Sequence, residues 1–281
     1  MVEDYVKRNN AANEAMSDKL LAGYEGGSSL VIDKASYASS RKLGGDDDYQ
    51  PFGYTRPTFY VPGQRWFLTT AYWKGRSETA EEPTYLLFAR DGGGWRQMYA
   101  PDSFAGTTAG EVPQIATDAS GTATEVGQTD AAGLLMSPAA FASGYTAHLV
   151  GKGSTAEKSR YAADKLTTAA ASNRIKMNQY ARLTESARPA AAYPSYALRT
   201  TDGGALTFTT IERTRRYDVR QGPKRNYVFQ KNNGLLRGKY YTYMTMTELI
   251  QVVAHIPPKS AKLGQVKVVG SYGGIISGNG R

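Results

Sequence analysis

Hydrophobic and polar positions along this chain switch between two periods. Over residues 2–21, Val2, Val6, Asn9, Asn13, Met16 and Leu20 recur every three to four positions, the spacing of one stripe on an α-helix. This predicts an amphipathic helix, stopped by Gly23, Gly26 and Gly27. Two asparagines lie in that stripe. A buried amide is costly unless hydrogen-bonded, so Asn9 and Asn13 are expected to tie the helix to a sheet edge or to face a wet cleft. Residues 28–63 show no period and read as irregular. Gly44-Gly45-Asp46-Asp47-Asp48 is a solvated acidic loop, without the alternating oxygen ligands, glycine and distal glutamate of a calcium loop.

The pattern then turns to strands. Residues 65–73 and 84–89 are rich in β-favouring side chains, and Asp91-Gly-Gly-Gly94 joins the second run to residues 95–99 as a hairpin. Residues 101–133 read as weak strands and loops. Helical spacing returns near Ser137-Pro138, a cap with proline at the first helical position. Ser154-Thr-Ala-Glu157 fits a capping box opening a longer helix over about residues 155–183, with Ala162, Leu166, Ala169 and Met177 on its apolar side. Strands are predicted at 195–199, 205–213, 240–247, 249–256 and 265–269, with a turn at Thr201-Asp-Gly-Gly204. The order is helix, strands, hairpin, twice over. It predicts an α+β fold of two tandem units, 1–133 and 134–281, each a helix packed on a curved antiparallel sheet in the cystatin-like or NTF2-like manner.

Composition narrows the chemistry. No cysteine is present among the 281 residues, which excludes disulfides, thiolate catalysis and cysteine-ligated metal. No apolar run approaches a membrane span, and the N-terminus carries no signal peptide; the abrupt helical start suggests that an anchor or signal segment has been removed. The net charge of +9 favours anionic partners, although such a balance speaks first to solubility.

No catalytic motif emerges. His148 and His255 form no spaced metal-binding pair. Ser39-Ser-Arg-Lys42 matches Ser-x-x-Lys without its companion elements, and no nucleophile elbow is present. Gly151-Lys-Gly153-Ser-Thr-Ala156 resembles a phosphate-cradling turn, but what precedes it is too short and polar for a central parallel strand, so it reads as a helix-capping loop. No cofactor is implied. The candidate binding residues are Asn9 and Asn13 on the first helix, and the basic cluster Arg213, Arg215, Arg216, Lys224 and Arg225, interleaved with Tyr217 and Tyr227. Arginine among aromatics can grip phosphates and stack on bases. On a strand, however, Arg213 and Arg215 share one face and Arg216 the other, and no nucleic-acid-binding signature accompanies them. The competing reading is a solvated hairpin.

Four segments, Tyr5-Val-Lys-Arg-Asn-Asn-Ala-Ala-Asn13, Phe59-Tyr-Val-Pro62 with Arg65-Trp-Phe67, Val252-Val-Ala-His-Ile-Pro-Pro258 and Lys267-Val-Val-Gly-Ser-Tyr-Gly-Gly274, resemble the extracytoplasmic part of a family of uncharacterised actinobacterial lipoproteins and membrane-anchored proteins. The resemblance implies a cell-surface location and attachment through an anchor, and no activity. The expectation is an envelope binding or interaction module that meets an envelope protein or an anionic or glycan wall component. A small-molecule-binding or isomerase-type enzyme with a cone-shaped fold is the alternative.

Overall fold

The computed structural model describes residues 1–45, 49–75, 82–222, 226–262 and 264–281. Helix α1 (Val2–Glu14) ends where Met16 turns to a φ of 43°. Ser17 then accepts from the Leu20 amide at 3.3 Å and caps a single further turn, α2 (Asp18–Leu21). The predicted stripe holds at Val2 and Asn9, with Tyr5 and Ala12 completing the buried face; Leu20 is exposed.

The stretch read as irregular contains a 17-residue helix, α3 (Gly27–Leu43). Gly26 and Gly27 open it instead of closing α1. A Cβ on Gly26 would stand 2.8 Å from the Met98 sulfur, and Gly27 has a φ of +54°, so only glycine brings the chain this close to the sheet. The buried side of α3 mixes Ser28, Ser29 and Ser39 with Ile32 and Tyr37. Serines facing inward hide the apolar stripe that would have announced the helix.

The first strands are β1 (Tyr54–Tyr60), β2 (Trp66–Trp73), β3 (Thr84–Asp91), β4 (Gly94–Tyr99) and β5 (Asp102–Ser103), and the β3–β4 hairpin forms through Asp91–Gly94 as predicted. After Ser137 and Pro138, in their expected roles, comes α4 (Pro138–Leu149). Residues 147–150 thus finish a helix, and Gly151, at a φ of +75°, leaves it. The capping box at Ser154 and Glu157 is present, but its helix, α5 (Thr155–Lys158), is one turn long. The helix predicted over 155–183 is broken because the Ala162 amide donates to the Val266 carbonyl at 2.9 Å, pulling the chain out of helical geometry. Asp164 recaps it, accepting from the Thr167 amide, to start α6 (Lys165–Met177).

The remaining strands are β6 (Ala181–Pro189), β7 (Tyr196–Arg199), β8 (Ala205–Val219), β9 (Val228–Gln230), β10 (Gly238–Tyr240), β11 (Tyr243–Ile256) and β12 (Lys267–Gly280). The two strands predicted across 240–256 are one, β11, and the final strand runs 11 residues past its predicted end at 269 to Gly280. A ten-stranded sheet, antiparallel at every pairing, has the path β1-β2-β3-β5-β12-β11-β8-β6, with β4 on β3 and β7 on β8. β5 meets β12 through Gly270↔Ser103 and Ser271↔Asp102, so strands from 1–133 and from 134–281 share one sheet. A Cβ on Gly270 would stand 2.3 Å from the Asp102 carbonyl oxygen; glycine permits that approach.

Alternation along β11 distributes the core. Ile250, Val252, Ala254 and Ile256 join Phe141, Tyr145 and Leu149 of α4, whereas Leu249 packs with Ile32 of α3. The two helical groups therefore cover opposite faces of this strand. Gln251, fully buried, points to the α3 side. Its amide nitrogen lies 2.9 Å from both Ser28 and Ser29 hydroxyls and the Met98 carbonyl, and its oxygen accepts from the Ala100 amide at 2.9 Å. Thr210 of β8 bonds Ser28 at 2.8 Å. These buried polar groups satisfy one another and fix the start of α3 against the sheet.

Candidate functional site

Between α1, α3 and the sheet lies a cavity of about 210 Å³. Helix α1 contributes Tyr5, Asn9 and Asn13; α3 contributes Asp33, Ser36 and Tyr37. Both predicted asparagines therefore face it. Asn9 is buried and donates to the Tyr5 hydroxyl at 2.9 Å. Asn13 accepts from the Tyr37 hydroxyl at 2.5 Å and donates to that of Tyr49 at 3.2 Å. The intervening Asn10 clamps the 49–52 segment, accepting from the Tyr49 hydroxyl at 2.6 Å and the Phe52 amide at 3.0 Å. Asn9 thus bonds within its own helix, and Asn13 ties α1 to α3 and to the 49–52 segment rather than to a sheet edge.

That clamp places the Phe52 ring on the opposite wall with Tyr54 and Trp73, centroids 5.0–5.5 Å apart. The Trp73 indole donates to Asp102 at 2.9 Å. Tyr272 of β12 closes the floor, its hydroxyl donating to Asp33. Ser36, exposed, marks where the cavity reaches solvent.

Behind Asp33 stands Glu25, 2% exposed, its carboxyl against that of Asp33. Burial, and then the neighbouring Asp33 carboxyl, push Glu25 well above the usual carboxylate range. Burial also raises Asp33, against the lowering pull of the Tyr272 hydroxyl and of Glu25. The surrounding phenols respond: burial first, then the charge of these carboxyls, raises Tyr24, Tyr37 and Tyr272. Two carboxyls this close in low dielectric retain a proton. Among the described residues, no lysine or arginine lines the cavity. In a chain of net charge +9, it is an acidic, aromatic hollow.

The basic cluster lies elsewhere. Arg213 and Arg215 project from one face of β8 and both pair with Glu248, Arg213 at 2.8 Å. Arg216, on the other face, pairs with Asp218 at 2.8 Å and stacks 4.3 Å over Tyr243. Lys224 and Arg225 lie outside the described residues, as do Asp46, Asp47 and Asp48 of the acidic loop. His148 stacks on Tyr161 at 4.9 Å, and His255 lies 3.1 Å from Asp202 in the Thr201–Gly204 turn; they serve different parts of the fold. A larger hollow of about 450 Å³ lies beside the start of α6, but its lysines are engaged: Lys267 on Glu111, and Lys165 on the Ala105 carbonyl.

The profile of a "Domain of unknown function (DUF8094)" matches residues 1–280. This chain belongs to the DUF8094 family. The DUF8094 chain is 27% identical over 294 aligned positions to the uncharacterized lipoprotein SCO2278 of Streptomyces coelicolor, covering 99% of this chain and 83% of that one. It is 24% identical to an uncharacterized lipoprotein of Streptomyces avermitilis, covering 96% and 81%. No solved structure matches it. The resemblance to actinobacterial lipoproteins is thereby borne out, and lipoprotein relatives place this DUF8094 chain outside the cytoplasm, at the cell surface. No helix among its described residues is long and apolar enough to cross a membrane.

Asp33, Glu25 and Tyr272, the chemical centre of the cavity, were not among the predicted site residues. Asp33 falls in the unrecognised α3 and Tyr272 in a strand whose glycines masked it. The available signal was the spacing of Asp33 and Tyr37, one helical turn apart.

Proposed function

We propose that this DUF8094 chain is an extracytoplasmic binding module of the bacterial envelope, attached through an anchor, and that the cavity between α1, α3 and the sheet receives a small ligand. One observation carries the reading: a hollow of about 210 Å³ gathers six aromatic side chains, two asparagines and two carboxyls, of which Asp33 is desolvated. Pockets of this kind, apolar with a few convergent polar groups, are where small molecules bind. A space of about 150 Å³ accommodates a guest the size of benzene, so this one suits a single small ring or a compact branched molecule. A helix-enclosed hollow over a sheet is also what a cystatin-like or NTF2-like unit at 1–133 would provide, here with Tyr272 inserted from 134–281. An anionic wall polymer would have to meet the basic outer surface instead.

The desolvated Asp33 carboxyl bonded to Tyr272 favours a second reading, an acid–base enzyme of the isomerase type, because such groups recur at catalytic sites. Both readings use one cavity. Ligand-observed NMR screening of small metabolites, repeated on Asp33→Asn and Trp73→Leu, tests them. Ligands that lose at least tenfold in affinity with both variants support the cavity. Ligands that bind both variants unchanged place recognition elsewhere, and conversion of a bound compound during the measurement selects the enzyme.

A further inference from the structure

On the face of β11 opposite α3, a smaller hollow of about 130 Å³ opens where α4 ends. The turn that leaves α4 carries the Gly151-to-Ala156 sequence singled out for its likeness to a phosphate cradle. Gly151 and Gly153 take φ values of +75° and +91°, and between them the Lys152 amide turns back to donate to the Ala147 carbonyl at 2.9 Å. Lys152 then lines the hollow with His148 of α4 and with Lys158, Arg160 and Tyr161 beyond the turn.

The lining is basic. Lys152 and Arg160 are exposed, while Lys158 is half-buried and gives one of its three hydrogens to the Gly151 carbonyl at 2.9 Å. Among the described residues, the one carboxylate in the lining is Glu157. It accepts from the Ser154 amide and hydroxyl at 2.7 and 2.8 Å, and those bonds, with Arg160, hold it below the ordinary carboxylate range. Two further donors lie deeper. Tyr161 is buried, its hydroxyl set against α4 where a Cβ on Gly144 would collide with it. His148 stacks on that ring at 4.9 Å, and its Nδ1 is enclosed with no hydrogen-bond partner among the described residues. Burial holds the imidazole below its ordinary value, against the raising pull of Asp164 before α6 and with the help of Lys158. Tyr145 of α4 stands on its other side, ring centroids 6.1 Å apart.

An enclosed polar atom without a partner is costly, and here an anion would supply the missing bond. A phosphate monoester carries a charge of about −1.5 to −2 and three strong acceptor oxygens, which suits three cations and two inner donors better than a carboxylate does. The space is below the ~150 Å³ that admits benzene, so it takes the phosphate group and leaves any carrier outside. We propose that this hollow binds a phosphate group, held by Lys152, Lys158 and Arg160 with Tyr161 and His148 donating from within. The bound anion draws a proton onto His148. Affinity for an anion of fixed charge therefore rises as pH falls through the imidazole range.

The chain has two histidines, so NMR of the ring protons follows both, and His255, paired with Asp202, is the internal control. Inorganic phosphate, and sulfate as an anion of constant charge, are titrated into the intact chain at ionic strength fixed with chloride. Both are expected to shift the His148 signals saturably and leave those of His255 in place, and saturating sulfate should move the His148 titration to higher pH by about one unit or more. The double variant Lys152→Ala/Arg160→Ala, changed only at exposed positions, should bind both anions at least tenfold more weakly. His148→Gln should keep phosphate binding while removing the pH dependence for sulfate. Glycerol phosphate, against vesicles containing phosphatidic acid, separates a soluble ester from a lipid headgroup as the source of the phosphate. No saturable shift of His148, equal movement of both histidines, or unchanged affinity in the double variant would overturn the site. None of these results bears on the cavity between α1 and α3, which the metabolite screen tests by itself.

Discussion

At the residue scale, the chain places its ionisable groups under opposite regimes. Glu248 sits between two arginines whose side chains are 11% and 15% exposed, so removing it strands both. Glu248→Ala is expected to cost about 3–5 kcal/mol, seen as a lower urea midpoint; a shift too small to measure would mean the arginines find water. Glu25 is the reverse case. Its proton is held more tightly in the folded chain than in the unfolded one, so stability from this group is full below the unfolded carboxylate value of about 4.3 and drains away as pH rises through the folded value. Glu25→Gln should weaken that decline, gaining about 1–3 kcal/mol at pH 8, with a residual slope from Asp33. Thermal melts from pH 4 to 8 measure it, and parallel curves for the two proteins would refute it. Of the cavity's residues, only Asn9 and Asn13 were legible in advance, because polar side chains in an apolar stripe stand out. Glu25 was hidden among glycines that read as a helix stop.

At the element scale, legibility followed the source of each element's stability. The β3–β4 hairpin and the Ser137–Pro138 cap are written in local turn and cap chemistry, and both were found. Helix α3 is held by Ser28 and Ser29 bonding to Gln251, a residue more than 220 positions away, and no local window contains that information. The break before α6 has the same character, since Val266, just ahead of β12, imposes it from about a hundred residues further on. Gln251→Ala would leave the Ala100 amide without its partner and take one of several from each serine. It is expected to destabilise by about 2–4 kcal/mol, several times the net worth of one hydrogen bond, with amide exchange rising first at the start of α3. Uniform exchange across the sheet would argue that α3 does not depend on this contact.

At the scale of the whole molecule, strands predicted as separate units join in one sheet through the β5–β12 pairing. Calorimetry is expected to show one unfolding transition, and a fragment of residues 1–133 alone should lack native near-ultraviolet dichroism. Two resolved transitions, or a fragment that folds, would show that the halves stand independently. The α+β class was readable from the alternation of periods, and the cell-surface location from the lipoprotein resemblance. The shared sheet was not readable, because β5 is two residues long and its pairing with Gly270 depends on a missing side chain rather than on a pattern.

Tyr272 belongs to the last strand, while Asp33 and Asn13 come from the first two long helices. Synthesis must therefore reach β12 before the hollow between α1, α3 and the sheet gains its floor. A product cut short before β12 would carry most of the hollow's walls and none of its floor, so under the cavity reading proposed above it should hold no ligand there.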